Sequence, residues 1–334
     1  MDDFPNDAKW GEAFEKFFLL RVNTRFLNPA KLIARKIDSP KSGEGFTITA
    51  ILCILIEYLQ AYYEGCVYTT SKEPNLYEYS SSKALFVNFL TGHAPFKADF
   101  SKKDAERFYD DIRCGLLHEA ATKGDAKIKA LGEGALLEKS ADGFVINRDA
   151  LLTALEEYIR RYQEELLADA SLRINFLRKI DELNGVGRVL YFAYGSNLFK
   201  EQFEVERGVF VHTSQTALLN DFKLVFNKKS TVDRSVSFAN LAAIQGETTW
   251  GVLYEIDSDD FERLGRVYER GYNRKDICVG INARQCRAVT FISDSLCDAA
   301  PSRNYFDRII RGASEKGLPL EYIEKIRRES GLYL

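Results

Sequence analysis

The apolar residues of this chain change their period once. From Trp10 to about Gly185 they recur at helical spacing, and from Val189 onward they fall in short alternating or continuous β-rich runs. The switch marks a domain boundary, and 334 residues is about the length of two domains of ordinary size. We therefore expect an α+β protein. An all-helical bundle spans residues 1–185, and a small mixed β-barrel or sheet with peripheral helices spans 186–334.

In the first half, Ala13–Phe26, Thr47–Tyr63, Ser81–Leu90, Lys102–Leu117 and Asp149–Leu183 read as helices, the last as one or two. Asp38 to Gly43 and Ser71 to Pro74 are breaker clusters, and Leu136 to Ile146, with Ala141-Asp142-Gly143 at its middle, reads as a small hairpin. Asn184-Gly185-Val186-Gly187 stops the last helix. In the second half the strands are expected at Val189–Tyr194, Phe222–Phe226, Val236–Ile244, Thr248–Ile256, Asp276–Ile281 and Arg287–Ile292, with helices near Ser258–Val267 and Tyr305–Ala313.

Charge and composition narrow the function classes. A formal charge of −3 with 28% charged residues gives no bulk attraction to nucleic acid or lipid. The longest uninterrupted apolar run, Ala50–Ile56, is far short of the roughly 20 residues that cross a bilayer, so no membrane span is expected. The acidic start Met1-Asp2-Asp3-Phe4-Pro5 lacks the basic and apolar regions of a secretory signal, which points to a cytoplasmic location. Six scattered cysteines and three histidines (His93, His118, His212) show no metal-ligand spacing, so no metal and no cofactor are expected.

Val189–Tyr194 is an apolar β-former that runs directly into Gly195-Ser196-Asn197. Backbone N–H groups at such a strand–turn–helix junction are unpaired and can hold an anion, and glycine allows close approach. The stretch Tyr191-Phe192-Ala193-Tyr194-Gly195-Ser196-Asn197-Leu198 resembles the signature of the γ-glutamylcyclotransferase-like family. Further matches follow in order: Asn240 within Phe238–Leu241, the strand Trp250–Tyr254, Leu264 with Glu269-Arg270-Gly271-Tyr272-Asn273-Arg274, and a closing segment from Tyr305 to Ile323.

The resemblance implies an intramolecular reaction in which the α-amine of a γ-glutamyl group attacks its own γ-carbonyl, giving 5-oxoproline and a free amine. Such chemistry needs a carboxylate to take a proton from the amine and return one to the leaving nitrogen. Glu269 stands at the matching position. Gly195, Ser196 and Asn197 would hold the substrate carboxylate and the carbonyl oxygen, with Tyr194, Leu198, Asn240 and Tyr272 completing the substrate site. The partner is a small γ-glutamyl compound, either an amino acid or an amine derivative.

In the helical half, Arg113-Cys114-Gly115-Leu116-Leu117-His118 is similar to the Arg-x4-His motif of the HEPN superfamily, many of whose members are metal-independent ribonucleases. That resemblance implies RNA as a partner and a homodimer. Residues five apart on a straight helix point about 140° from each other, so Arg113 and His118 converge only if the helix bends or ends near Gly115, or if a second subunit completes the cleft. Three readings follow: a cyclotransferase carrying a helical dimerisation domain, which Glu269 favours; a ribonuclease regulated by the second domain; or two binding modules without catalysis.

Overall fold

The computed structural model describes residues 7–35, 43–129, 134–140 and 143–332. The acidic start Met1–Pro5, the breaker positions Asp38–Ser42 and the hairpin positions Ala141 and Asp142 lie outside the described residues. The chain divides into two compact units, Met1–Ile180 and Asp181–Leu334.

The first unit is mainly helical. Its central helix, Glu44–Glu64, carries Ile48, Leu52, Leu55, Ile56 and Leu59, all at most 1% exposed, on the closely spaced positions that point one helix surface at a core. By length and composition alone this 21-residue helix could cross a membrane. Its apolar side chains here fill a core with Phe14, Phe18, Tyr162 and Phe176, whose rings pack at 4.9 Å between Phe14 and Phe18 and between Phe18 and Tyr62. The helix stops at Gly65, whose φ of +61° is open to glycine at little cost.

The stretch read as one or two helices forms two, Arg148–Ala168 and Ala170–Leu183. Asp169 is extended and its Oδ1 accepts from the Ser171 N–H at 2.7 Å, capping the second. The unit is not all-helical, however. Strands β1 (Val67–Tyr68) and β2 (Glu78–Tyr79) pair in parallel around the Ser71–Pro74 turn. Strands β3 (Ala126–Lys129), β4 (Leu137–Ser140) and β5 (Gly143–Asn147) form a sheet in the order β3-β5-β4. The expected hairpin is the antiparallel β4–β5 pair, with Leu137 opposite Ile146. The other strands are two to four residues long, too short for a period-2 pattern to register.

The second unit is a closed five-stranded barrel. It is built from β6 (Arg188–Ala193), β7 (Val211–Lys229), β8 (Ser237–Asp257), β9 (Asn273–Ile281) and β10 (Arg284–Ile292), in the order β10-β6-β8-β7-β9. β6 runs antiparallel to β8 and parallel to β10, with Tyr191 opposite both Tyr254 and Val289. The two strands expected at Val236–Ile244 and Thr248–Ile256 are one strand, β8. The sequence break between them is a corner rather than an end. Pairing passes from Asn220↔Thr248 to Phe222↔Ala243, Asp221 and Gly246 take φ of +61° and +83°, and the Gly246 N–H donates to Asp221 Oδ1 at 2.8 Å. β7 also starts at Val211, well before the expected Phe222, because His212 to Thr216 is polar and reads as loop. A final helix, Leu320–Glu329, was not expected as an element.

Candidate active site

β6 ends at Ala193, and a short 3-10 turn, Ser196–Leu198, begins three residues later. The first N–H groups of such a turn point away from it with no intrahelical acceptor, and those of Ser196 and Asn197 find no backbone acceptor among the described residues. The turn is held from several sides. Tyr254 donates to the Asn197 carbonyl at 3.2 Å, Gln202 Nε2 donates to Ser196 Oγ at 2.8 Å, and Arg308 in turn donates to Gln202 Oε1 at 2.9 Å. A Cβ on Gly195 would stand 3.2 Å from the Ala239 Cβ, so glycine is what lets the turn approach β8 this closely.

Glu269 arrives from the other side. It caps the turn Leu264–Tyr268, its N–H donating to Leu264 O at 2.9 Å, and Gly271 at φ +80° turns the chain back toward β9. The Glu269 carboxylate accepts from Asn197 Nδ2 at 3.1 Å and from Arg207 Nη1 at 2.6 Å. Its side chain is 12% exposed and that of Arg207 15%. The Asn197 amide also donates to the Tyr191 hydroxyl at 2.7 Å, which fixes its orientation toward Glu269.

One cavity is lined by Tyr191, Tyr194, Gly195, Ser196, Asn197, Ala239, Glu269, Tyr272, Phe291 and Tyr305. Burial, reinforced by the Glu269 carboxylate, raises the phenols of Tyr191, Tyr194 and Tyr272 above their ordinary value, and burial pushes that of Tyr305 up to about 12. These groups are therefore neutral hydroxyls. Tyr194 donates to the Phe291 carbonyl, Tyr272 to the Ala239 carbonyl at 2.6 Å, and the Tyr305 hydroxyl accepts from the Ala239 N–H at 3.1 Å. The walls are thus tied to strands on both sides, and Glu269 and Arg207 bring full charges to the site.

Of the residues singled out from sequence, Tyr194, Gly195, Ser196, Asn197, Glu269 and Tyr272 come together here. Leu198 and Asn240 do not line this cavity. Leu198 is fully buried under the helix Arg303–Glu315. Asn240 is buried with its amide donating to the Ser293 carbonyl at 2.9 Å and its Oδ1 accepting from the Ser293 N–H at 2.9 Å. It borders a separate cavity of about 490 Å³. Arg207, Tyr191 and Tyr305 were not singled out. The two tyrosines lie inside matched motifs, while Arg207 carries no local signal.

In the first unit, Arg113 Nε donates to Glu57 Oε1 at 2.7 Å and its guanidinium lies over the Tyr109 ring. His118 is exposed on the last turn of its helix, which ends at Ala120 with φ +52°. Each of the other two histidines has a hydrogen-bond partner: His93 with Gln60 at 2.9 Å, and His212 with Asp257 at 2.7 Å.

The model of the AIG2-like family matches residues 248–326, from within β8 through Glu269 to the last helix. The gamma-glutamylcyclotransferase of Homo sapiens is 30% identical over 145 residues, covering 41% of this chain and 77% of that protein. That of Bos taurus is 31% identical over 146 residues, covering 41% and 76%. A solved structure of a gamma-glutamyl cyclotransferase is 30% identical over 42% of this chain and 87% of its own, with a TM-score of 0.37. Through its C-terminal half, the chain belongs to the gamma-glutamylcyclotransferase family.

Proposed function

We propose that the C-terminal unit cyclises a γ-glutamyl compound to 5-oxoproline with release of the amine, and that Glu269 is its acid/base. The observation that carries this reading is the placement of the Glu269 carboxylate 3.1 Å from Asn197, at the lip of a turn with unpaired N–H groups. An anion held by the turn sets its neighbouring amine beside that carboxylate.

The substrate enters as an ammonium, which is not nucleophilic. Glu269 takes its proton, and the free amine attacks the γ-carbonyl carbon. The N–C bond forms and the carbonyl becomes an oxyanion, facing the N–H groups of the turn. The ring nitrogen then loses a second proton, the oxyanion collapses, and the bond to the leaving nitrogen breaks. The two protons shed by the α-nitrogen end on the leaving amine, so one carboxylate that accepts and returns them balances the reaction. Attack and leaving groups belong to one molecule, so holding it folded supplies much of the rate.

Arg207 shapes the first step. It occupies Glu269 in the structure, and the substrate ammonium competes for the same oxygens. The pair holds the carboxylate aimed before the substrate arrives. The reading is tested by incubating purified full-length protein with a panel of γ-glutamyl amino acids and γ-glutamyl amines and measuring 5-oxoproline by mass spectrometry. Product from at least one member is expected, and none from any would overturn the assignment.

A further inference from the structure

The two donors that hold Glu269 meet on the same atom. Asn197 Nδ2 at 3.1 Å and Arg207 Nη1 at 2.6 Å both reach Oε1, and neither bond uses Oε2, which is the oxygen open to take the proton. That division lasts through a turnover only if the Asn197 amide keeps its NH2 end toward the carboxylate. Tyr191 fixes where the amide lies, but a hydroxyl donates as readily as it accepts, and a protonated carboxyl also donates. Once Glu269 has taken its proton, the cavity side is satisfied by either end of the amide.

The side away from the cavity permits one end only. Arg308, on the helix Arg303–Glu315, donates from Nη1 to Gln202 Oε1 at 2.9 Å. A guanidinium has no acceptor and does not lose its proton, so the Gln202 amide turns its carbonyl to Arg308 and its NH2 to the turn. Gln202 is 5% exposed, and its Nε2 meets two acceptors there, Ser196 Oγ at 2.8 Å and Asn197 Oδ1 at 3.5 Å. A flipped Asn197 would set two NH2 groups against each other. The direction imposed by the guanidinium thus passes through two amides to the carboxylate.

We propose that Arg308 is a positioning residue, which acts through Gln202 to keep the Asn197 amide donating to Glu269 Oε1 while Oε2 gains and returns the proton. The proposal rests on the cyclotransfer reading and deepens it. Arg308 also donates to Glu206 at 2.8 Å, with the two side chains 32% and 45% exposed. An ion pair so open to solvent contributes little, which leaves the bond to Gln202 as the contact that matters.

The test uses full-length protein, the best γ-glutamyl substrate of the panel, and the variants Arg308→Met, Arg308→Lys and Glu206→Gln. Arg308→Met keeps the stem and loses the donors, so kcat should fall about 10-fold as Glu269 loses its aim, with KM within about 2-fold of wild type. Arg308→Lys, whose ammonium likewise only donates, should recover most of the rate, and Glu206→Gln should match wild type. Adding Arg308→Met to Gln202→Met should lower the rate no further, since the path is already cut. An undiminished kcat in Arg308→Met, no recovery in Arg308→Lys, a matching loss in Glu206→Gln, or losses that add in the double variant would overturn the proposal. A readout independent of turnover is the NMR signal of the Asn197 side-chain amide in protein made with isotope-labelled asparagine, assigned by its absence from Asn197→Ala. Its protons should exchange slowly with solvent in wild type and faster in Arg308→Met. Faster exchange without any 5-oxoproline from wild type would refute cyclotransfer and retain the role of Arg308, whereas unchanged exchange would refute that role.

Discussion

At the residue scale the site turns on a partly buried ion pair. Arg207 and Glu269 meet at 2.6 Å with only 15% and 12% of their side chains exposed, so the pair is screened less than a surface bridge. Arg207→Ala leaves the carboxylate with the Asn197 amide alone. We expect it to lower unfolding stability by about 1–3 kcal/mol, less than for a fully buried pair, and to reduce kcat by about 10-fold or more as Glu269 loses its fixed orientation. Guanidinium titration and steady-state rates on one preparation check both. Glu269 and the Tyr194–Asn197 stretch were legible in the sequence because each sits in a contiguous motif. Arg207 was not, because it reaches Glu269 from 62 positions away and its own surroundings, Glu206-Arg207-Gly208, read as an ordinary loop. Asn240 lay in a matching motif, yet its side chain spends its hydrogen bonds on Ser293, a distinction that no spacing could reveal.

At the element scale, the site depends on the helix Arg303–Glu315 as much as on β6. Gly312 in that helix lies so near the turn that an added Cβ would fall on the Phe199 nitrogen and the Leu198 carbonyl carbon. Both are backbone atoms, so the neighbour cannot swing away. Gly312→Ala is expected to destabilise the unit by about 1–3 kcal/mol through overpacking, despite the higher helix propensity of alanine, and to lower kcat by shifting Ser196 and Asn197. Far-UV circular dichroism should be unchanged while the melting temperature and the rate fall together. A raised melting temperature would mean that the helix and turn are less tightly packed than the structure shows. The sequence located most strands but misplaced the ends of β7 and β8. Hydrophobic period sees side chains, whereas the corner at Asp221 and Gly246 is made by backbone angles and one side-chain hydrogen bond. Strands β1, β2 and β3 of the first unit escaped for a different reason, being shorter than a pattern can resolve.

At the scale of the whole molecule, the chain divides into two compact units, Met1–Ile180 and Asp181–Leu334, and in the sequence a change in hydrophobic period is what led us to expect two domains. The first unit carries its own pH sensitivity. Burial lowers the pKa of His93 from an ordinary 6.5 to about 4, so below pH 6.5 the unfolded state binds the proton that the folded state resists. Stability from this group is complete above about pH 6.5 and is lost as the pH falls toward 4. Trp10 belongs to the first unit and Trp250 to the second, so in a Trp250→Phe background the fluorescence of Trp10 reports the first unit alone. Its urea midpoint should fall on acidification, and adding His93→Gln should flatten that slope. The central claim, that Glu269 moves the protons of a γ-glutamyl cyclisation, is tested most directly by single-turnover release of 5-oxoproline from wild type and Glu269→Gln at saturating substrate. A loss of about 10²–10⁴-fold is expected in the variant, with melting temperature within a few degrees of wild type. Equal rates in the two proteins would contradict it.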